Sequence, residues 1–153
     1  MSHTEPRHAD AVREGVTRSL AVVGLAGVAL IHLLDAHDTF AGSSYMGWLY
    51  IGLIVGSLAA AGALVRRNDR RAWIAATLLP LGAFVGFVYS RTVGLPQGAD
   101  DIGNWWEPLG LASLFVEGSL VALGASVVSA RAARRGVEAR PARASALFET
   151  STQ

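Results

Sequence analysis

Four long apolar runs constrain the fold of this chain more than any other feature. They span about residues 17–35, 46–65, 72–90 and 105–130. A helix of about 20 apolar residues crosses the roughly 30 Å hydrocarbon core of a bilayer. A soluble bundle would need a polar stripe along every helix, and residues 53–65 carry no such stripe. The runs therefore predict an all-α fold, a bundle of four transmembrane helices.

The other residues of the 153-residue chain are arranged around this one membrane domain, 17–130. Residues 1–16 are polar and lack the pattern of a signal peptide, so we interpret them as an N-terminal tail. Residues 131–153 are an Arg- and Ala-rich tail, which we expect to be partly disordered. The chain has no cysteine, which excludes disulfides and thiolate chemistry. Its net charge of +1 gives no reason to expect nucleic-acid binding.

The distribution of arginine predicts the orientation of the bundle. All thirteen basic residues are arginine, and twelve of them lie in or beside the N-terminal tail, the 66–71 loop or the C-terminal tail. The positive-inside rule places such segments in the cytoplasm. We therefore predict a multi-pass protein of the plasma membrane with both termini cytoplasmic. The two remaining loops, which are acidic, are predicted to face outside.

The loop before the fourth run is the predicted outer acidic loop. Its acidic residues are Asp100, Asp101 and Glu107. The fourth helix has two possible starts near this loop. Asn104 and Glu107 fit a capping box, whereas Pro108 fits the first helical position. Either start places Trp105 and Trp106 at the level of the lipid headgroups, where they can anchor the loop or fold it over the mouth of the bundle.

Glu117 is the residue that most needs an explanation. If the bilayer begins near Pro108 or Leu109, Glu117 is eight or nine residues further along the helix, roughly 12–14 Å deep and so close to the middle of the bilayer. An ionised carboxylate at that depth is costly unless it is paired, which makes the position a functional candidate. His32, near the outer end of the first helix, is its natural partner. We predict a buried polar cluster near the outer mouth of the bundle, formed by His32, Asp35, Tyr89, Arg91 and Glu117.

The sequence leaves two interpretations of this cluster open. Buried polar groups often act as hydrogen-bonding contacts between membrane helices, each worth about 0.6–2 kcal/mol. In that interpretation Arg91, paired with an acid, anchors the outer loop. In the other interpretation His32, Asp35 and Glu117 handle protons or ions, as ionisable residues inside membranes commonly do.

A metal site is a more specific form of the second interpretation. The first helix and its loop contain the pattern H-x-x-D-x-H-D, residues 32–38. Imidazole and carboxylate ligands from different segments suit a divalent transition metal such as zinc, copper, manganese or iron. The candidate ligands are His32, Asp35, His37 and Glu117. Because this spacing does not fix a geometry, the cofactor stays unassigned.

Other chemistries lack the residues that they need. Haem ligation between helices requires a second membrane histidine, and only His32 qualifies. The serines have no nucleophile–base–orienter set around them in the sequence. Gly52, Gly56 and Ala60 form a small-residue face of the kind that packs helices closely. We therefore predict a non-enzymatic, oligomerising or accessory subunit, which associates with the bilayer and with copies of itself or another membrane protein.

The residue usage adds a resemblance of general character. The chain lacks lysine and is rich in alanine, glycine and valine, which is typical of a GC-rich genome. In this respect, and in its four apolar runs, it resembles the small, uncharacterised four-helix integral membrane proteins of actinobacteria. The resemblance implies a fold but no functional family and no catalytic residues.

Overall fold

The described part of the chain forms four α-helices packed as an antiparallel bundle. The structure is a computed structural model that describes residues 5–96 and 101–150, with side chains for 8–96 and 101–134. The helices are α1 (Glu5–Gly42), α2 (Ser44–Arg66), α3 (Arg70–Thr92) and α4 (Pro108–Thr150). Each contains a segment long and apolar enough to cross a membrane. The fold is therefore all-α, and its four candidate spans indicate a multi-pass membrane protein.

Helix α1 continues beyond the apolar run that predicted it. Its 38 residues extend roughly 57 Å at 1.5 Å per residue, well over the thickness of a hydrocarbon core. The polar sequence after Leu34, which the sequence suggested as a loop, is helical up to Gly42, and Ser43 connects α1 to α2. The change from apolar to polar side chains therefore does not mark where the helix ends.

One end of the bundle joins three segments that are distant in sequence. The α2–α3 turn lies there, and Asp69 caps the start of α3. Asn68, with a φ of 44°, donates a hydrogen bond to Glu14 of α1 at 2.8 Å. The carbonyl oxygen of Asn68 accepts a hydrogen bond from Arg131 of α4 at 3.0 Å. We call this end the basic end, because the arginines of the turn are there.

The opposite end, which we call the acidic end, holds Ser43 and the α3–α4 loop, residues 93–107. Helix α3 ends where Gly94 takes a φ of 88° and donates its N–H to the carbonyl oxygen of Tyr89. This left-handed conformation is one that glycine adopts without strain. The loop returns to α3 at Gly103, whose N–H donates to the carbonyl oxygen of Arg91 at 2.9 Å. Helix α4 then begins at Pro108, the second of the two predicted starts.

The two halves of the bundle are filled differently. A cluster of buried apolar side chains fills the half near the basic end. It consists of Ala21, Leu25, Val28, Ala60, Ala61, Leu64, Ala72, Trp73, Ala76 and Leu120. The half near the acidic end contains a cavity instead. Most of the buried polar residues that the structure describes line this cavity, namely His32, Ser43, Ser90, Arg91, Ser113 and Glu117.

Candidate functional site

Glu117 is completely buried inside the bundle. Its exposed fraction is 0 %. Ser113, one turn earlier on α4, donates its hydroxyl hydrogen to Glu117 Oε1 at 2.7 Å, and His32 Nε2 lies 3.8 Å from the same oxygen. The second carboxyl oxygen, Oε2, is buried and has no hydrogen-bond partner among the described residues. The carboxyl group therefore keeps one oxygen available for a further contact.

A hydrogen bond within α1 determines how His32 faces this carboxyl group. His32 Nδ1 lies 2.9 Å from the carbonyl oxygen of Val28. Because a carbonyl oxygen can only accept, Nδ1 carries the hydrogen, and in the neutral ring Nε2 is then an acceptor. An ionised carboxylate facing this acceptor would be repelled. Although 3.8 Å is too long for a hydrogen bond, the His32–Glu117 pair is best satisfied when it carries one proton, held either on the carboxyl group or on Nε2, and we call this the shared proton.

Asp35 is connected to this pair through Tyr50 of α2. The hydroxyl of Tyr50 donates to Asp35 Oδ2 at 3.1 Å, and its ring packs edge-on against His32 with centroids 4.7 Å apart. No ion pair joins Asp35 to a basic side chain in the described part of the chain. Tyr50, near the start of α2, is not part of the predicted polar cluster. Its role as a link between two helices was not predicted, because it depends on the rotation of α2 about its axis.

Arg91 forms a second cluster with the α3–α4 loop. The side chain is buried and makes ion pairs with Asp101 and Glu107. Its guanidinium carbon also lies 4.7 Å from the centroid of the Phe87 ring, a contact that is favourable for a cation. Both acids are about one-third exposed. Arg91 thus fastens the loop to the end of α3.

A cavity of about 710 Å³ occupies the half of the bundle near the acidic end. Small-molecule sites commonly have volumes of about 300–1,000 Å³. Its polar lining comes from both clusters and includes His32, Asp35, Tyr50, Arg91, Ser113 and Glu117. Its apolar lining comes mainly from α2 and α3, with Leu53, Leu79 and Phe87 among the contributing side chains.

Exposed lining residues indicate that the cavity opens at the acidic end, at Asp38 and Gly42, and also sideways between α2 and α3. Exposed residues of both helices line it there, namely Trp48, Leu49 and Leu78. Gly52, Gly82 and Gly86 also line the cavity, and a Cβ atom at any of these positions would meet nothing within 4 Å. The lack of side chains at these glycines leaves part of the wall empty. Because α2 and α3 are candidate membrane spans, such an opening gives access from the lipid.

The structure distributes the predicted polar cluster over two groups. His32 and Glu117 are adjacent and Asp35 lies behind Tyr50, whereas Arg91 pairs with the loop. Tyr89 is 47 % exposed on α3. Of the predicted outer acidic loop, Asp101 and Glu107 bind Arg91, and Asp100 lies outside the described residues.

The predicted metal ligands are not gathered around one point. Among the side chains that the structure describes, those of 8–96 and 101–134, no group of three or more His, Asp or Glu residues is placed to hold a metal ion. His32 and Glu117 approach each other, but His37 is exposed on α1. The structure therefore does not support the metal interpretation of the H-x-x-D-x-H-D pattern.

The fold and the cavity together define a class, a multi-pass membrane protein of four helices with an ionisable pair lining an internal cavity. No protein-family model, curated protein or solved structure matches this chain. A fold does not by itself imply a function. The function therefore has to be inferred from the cavity and the side chains that line it.

Proposed function

We propose that this protein is a non-enzymatic membrane protein that binds a small, lipid-soluble ligand in the cavity. One observation carries the proposal: the cavity, which opens between two candidate spans, is lined by a fully buried carboxyl group whose second oxygen is unpaired. Ligand sites are typically apolar cavities with a few converging polar groups. The sideways opening lets a ligand enter from the apolar layer of the bilayer.

The His32–Glu117 pair supplies the polar part of this site. A ligand that contacts Oε2 changes how the shared proton is divided between the carboxyl group and Nε2. Ionisable side chains that line cavities inside membranes commonly serve proton or ion pathways. The proposal therefore keeps the proton- and ion-handling interpretation of His32, Asp35 and Glu117 and omits the metal.

The arrangement of Ser113 supports a binding role over catalysis. Its hydroxyl donates to the carboxyl group of Glu117. Activation of a serine nucleophile needs a base in contact with the hydroxyl, usually an imidazole that a third group orients. Here the carboxyl group lies between the serine and the histidine, so the order of contacts is wrong for that chemistry.

The small-residue face of α2 is used inside the chain. A Cβ atom at Gly56 would lie 3.1 Å from Leu79 of α3, Ala60 is buried, and Gly52 lines the cavity. Gly56 and Ala60 are therefore occupied by intramolecular contacts, whereas Gly52 borders the empty part of the cavity wall. The oligomerising or accessory role stays a prediction from the sequence, and this face gives it no support.

Filling the cavity tests the proposed function. The Gly86→Leu substitution places a side chain in the cavity, and Gly62→Leu is its control, because Gly62 is helical, has nothing within 4 Å of a built Cβ and does not line the cavity. A panel of lipid-soluble cations, anions and neutral compounds would be added to purified protein in detergent. A bound ligand raises the melting temperature by mass action.

We expect at least one class of compound to stabilise the wild-type protein and the Gly62→Leu variant, and to leave Gly86→Leu unchanged. Native mass spectrometry of the same three proteins, purified from membranes, checks for ligands that co-purify. No stabilisation by any compound, or equal stabilisation of all three proteins, contradicts a ligand site in this cavity.

A further inference from the structure

The cavity lining has an excess of negative charge. It includes five acidic side chains and one arginine. The acids are Asp35, Asp38, Asp101, Glu107 and Glu117, and the arginine is Arg91. Arg91 is already paired with Asp101 and Glu107. Among the described residues, the other three acids have no arginine partner.

The same cavity offers a large apolar and aromatic surface. Leucine side chains of α2 and α3 form much of its wall, together with the rings of Trp48, Tyr50 and Phe87. The faces of aromatic rings attract cations, most strongly where water is excluded. A ligand that matches both the wall and the charge therefore combines an apolar body with a positive charge.

We propose that the ligand is a lipid-soluble organic cation, of the ammonium or phosphonium type, and that it replaces the proton of the His32–Glu117 pair. This inference rests on the proposed function of the cavity. On binding, the shared proton leaves to water, Glu117 becomes a carboxylate, and the cation becomes its counter-ion. One positive charge enters the site and one leaves, so the net charge of the cavity is unchanged.

The unpaired oxygen of Glu117 fits this exchange. Glu117 lines the cavity, and its Oε2 is buried without a hydrogen-bond partner among the described residues, so a cation that reaches Oε2 breaks no hydrogen bond there. The carboxylate formed in this way keeps the hydrogen bond from Ser113. An anion of the same shape would instead bring a further negative charge into an acidic cavity, which is strongly disfavoured at low dielectric.

A pair of probes with the same shape and opposite charge tests the inference. Tetraphenylphosphonium and tetraphenylborate differ in the sign of their charge and share an apolar body. Binding of each to the full chain in lipid nanodiscs would be measured by titration calorimetry. A pH indicator in weakly buffered solution would report proton release. We expect saturable binding of the cation, with release of protons, and no saturable binding of the anion.

Substitutions at Glu117 identify the group that exchanges the proton. Glu117→Gln keeps the shape and cannot ionise, so we expect the cation to bind about tenfold more weakly or worse, with no proton release. Glu117→Asp keeps the carboxyl group and should retain both signals at reduced affinity. Asp10→Asn, which removes an exposed acid of α1 outside the cavity, should behave as the wild type.

The outcomes separate this inference from the proposed function. Three results would overturn the cation-exchange assignment and leave the cavity as a ligand site. They are equal binding of both probes, cation binding without proton release, and unchanged cation binding by Glu117→Gln. If neither probe binds while other compounds still distinguish wild type from Gly86→Leu, only the ligand class is wrong. If no compound distinguishes those two proteins, the proposed function fails as well. If Glu117→Gln does not fold, proton release on cation binding is measured for the wild type and for Glu117→Asp. Release by both proteins supports the exchange, and release by neither overturns it.

Discussion

Two buried ionisable side chains, Arg91 and Glu117, are accommodated in opposite ways. Arg91 carries a permanent charge and is matched by two carboxylates and an aromatic ring. Glu117 is matched by a hydroxyl and by an imidazole that is charged only when protonated. A fully paired ion is suited to holding structure, whereas a group that lacks a fixed counter-ion is suited to exchange. The two residues therefore have different predicted phenotypes.

For Arg91 we predict a structural effect. Arg91→Gln removes the cation that holds Asp101 and Glu107, so the α3–α4 loop should detach from α3. Loss of one partner of a fully buried pair costs about 3–5 kcal/mol, and the partial exposure of both acids reduces the cost here to about 1–3 kcal/mol. Denaturant unfolding in micelles measures the stability, and limited proteolysis within 93–107 measures the release of the loop.

Two further variants control this experiment. Arg91→Lys keeps the charge and loses the planar fork that contacts two acids, so an intermediate effect is expected. Glu107→Gln should change the free energy of unfolding less in the Arg91→Gln protein than in the wild type, because the two residues share one interaction. Additive effects, or an unchanged cleavage pattern in Arg91→Gln, would show that the ion pairs do not hold the loop.

At the level of helices, α3 and α4 approach each other closely where Gly124 meets Thr77. A Cβ atom at Gly124 would collide with Thr77 Oγ1 and lie 3.0 Å from Thr77 Cβ. The threonine hydroxyl donates to the carbonyl oxygen of Trp73 at 2.8 Å, so it cannot turn away without losing that bond. Gly118, on the same helix, is in ordinary contact, with a built Cβ 3.6 Å from Phe84.

This difference predicts opposite effects for two identical substitutions. Gly124→Ala should lower the free energy of unfolding by about 1–3 kcal/mol, as overpacking of a tight interface does. Gly118→Ala should be neutral or should stabilise by up to about 1 kcal/mol, because alanine is the better helix former. Thermal unfolding in the same detergent compares them. Rescue of Gly124→Ala by Thr77→Ala would identify the collision as the cause, and similar melting of both variants would disprove the close approach.

Some features of the helices could be predicted from the sequence, and others could not. The four apolar helices followed from the lengths of the apolar runs, and the structure places His32 next to Glu117. The depth of Glu117 in a bilayer stays a prediction. The partners of Arg91 did not follow, because they depend on a loop whose path is set by Gly94 and Gly103. The cavity depends on how four helices rotate and splay, and periodicity within one apolar run does not fix this.

At the scale of the whole molecule, the packed core and the cavity lie at opposite ends of one bundle. The packed core lies near the arginine-rich turn, and the cavity reaches the acidic end. Because Glu14, Asn68 and Arg131 meet at the basic end, the N-terminal part of α1, the turn and the part of α4 after its span share one side. The side of the membrane on which the basic end lies determines to which side the proposed proton release would occur.

The positive-inside rule predicts that the basic end is cytoplasmic, and single cysteines test this directly. The chain has no cysteine of its own, so each introduced thiol reports alone. Arg67→Cys marks the α2–α3 turn and Ile102→Cys marks the α3–α4 loop, and both positions are exposed. A membrane-impermeant maleimide should label Ile102→Cys in intact cells and Arg67→Cys only after permeabilisation. The reverse labelling pattern would place the acidic end of the bundle in the cytoplasm. Labelling of both cysteine variants in intact cells would mean that the protein inserts in two orientations.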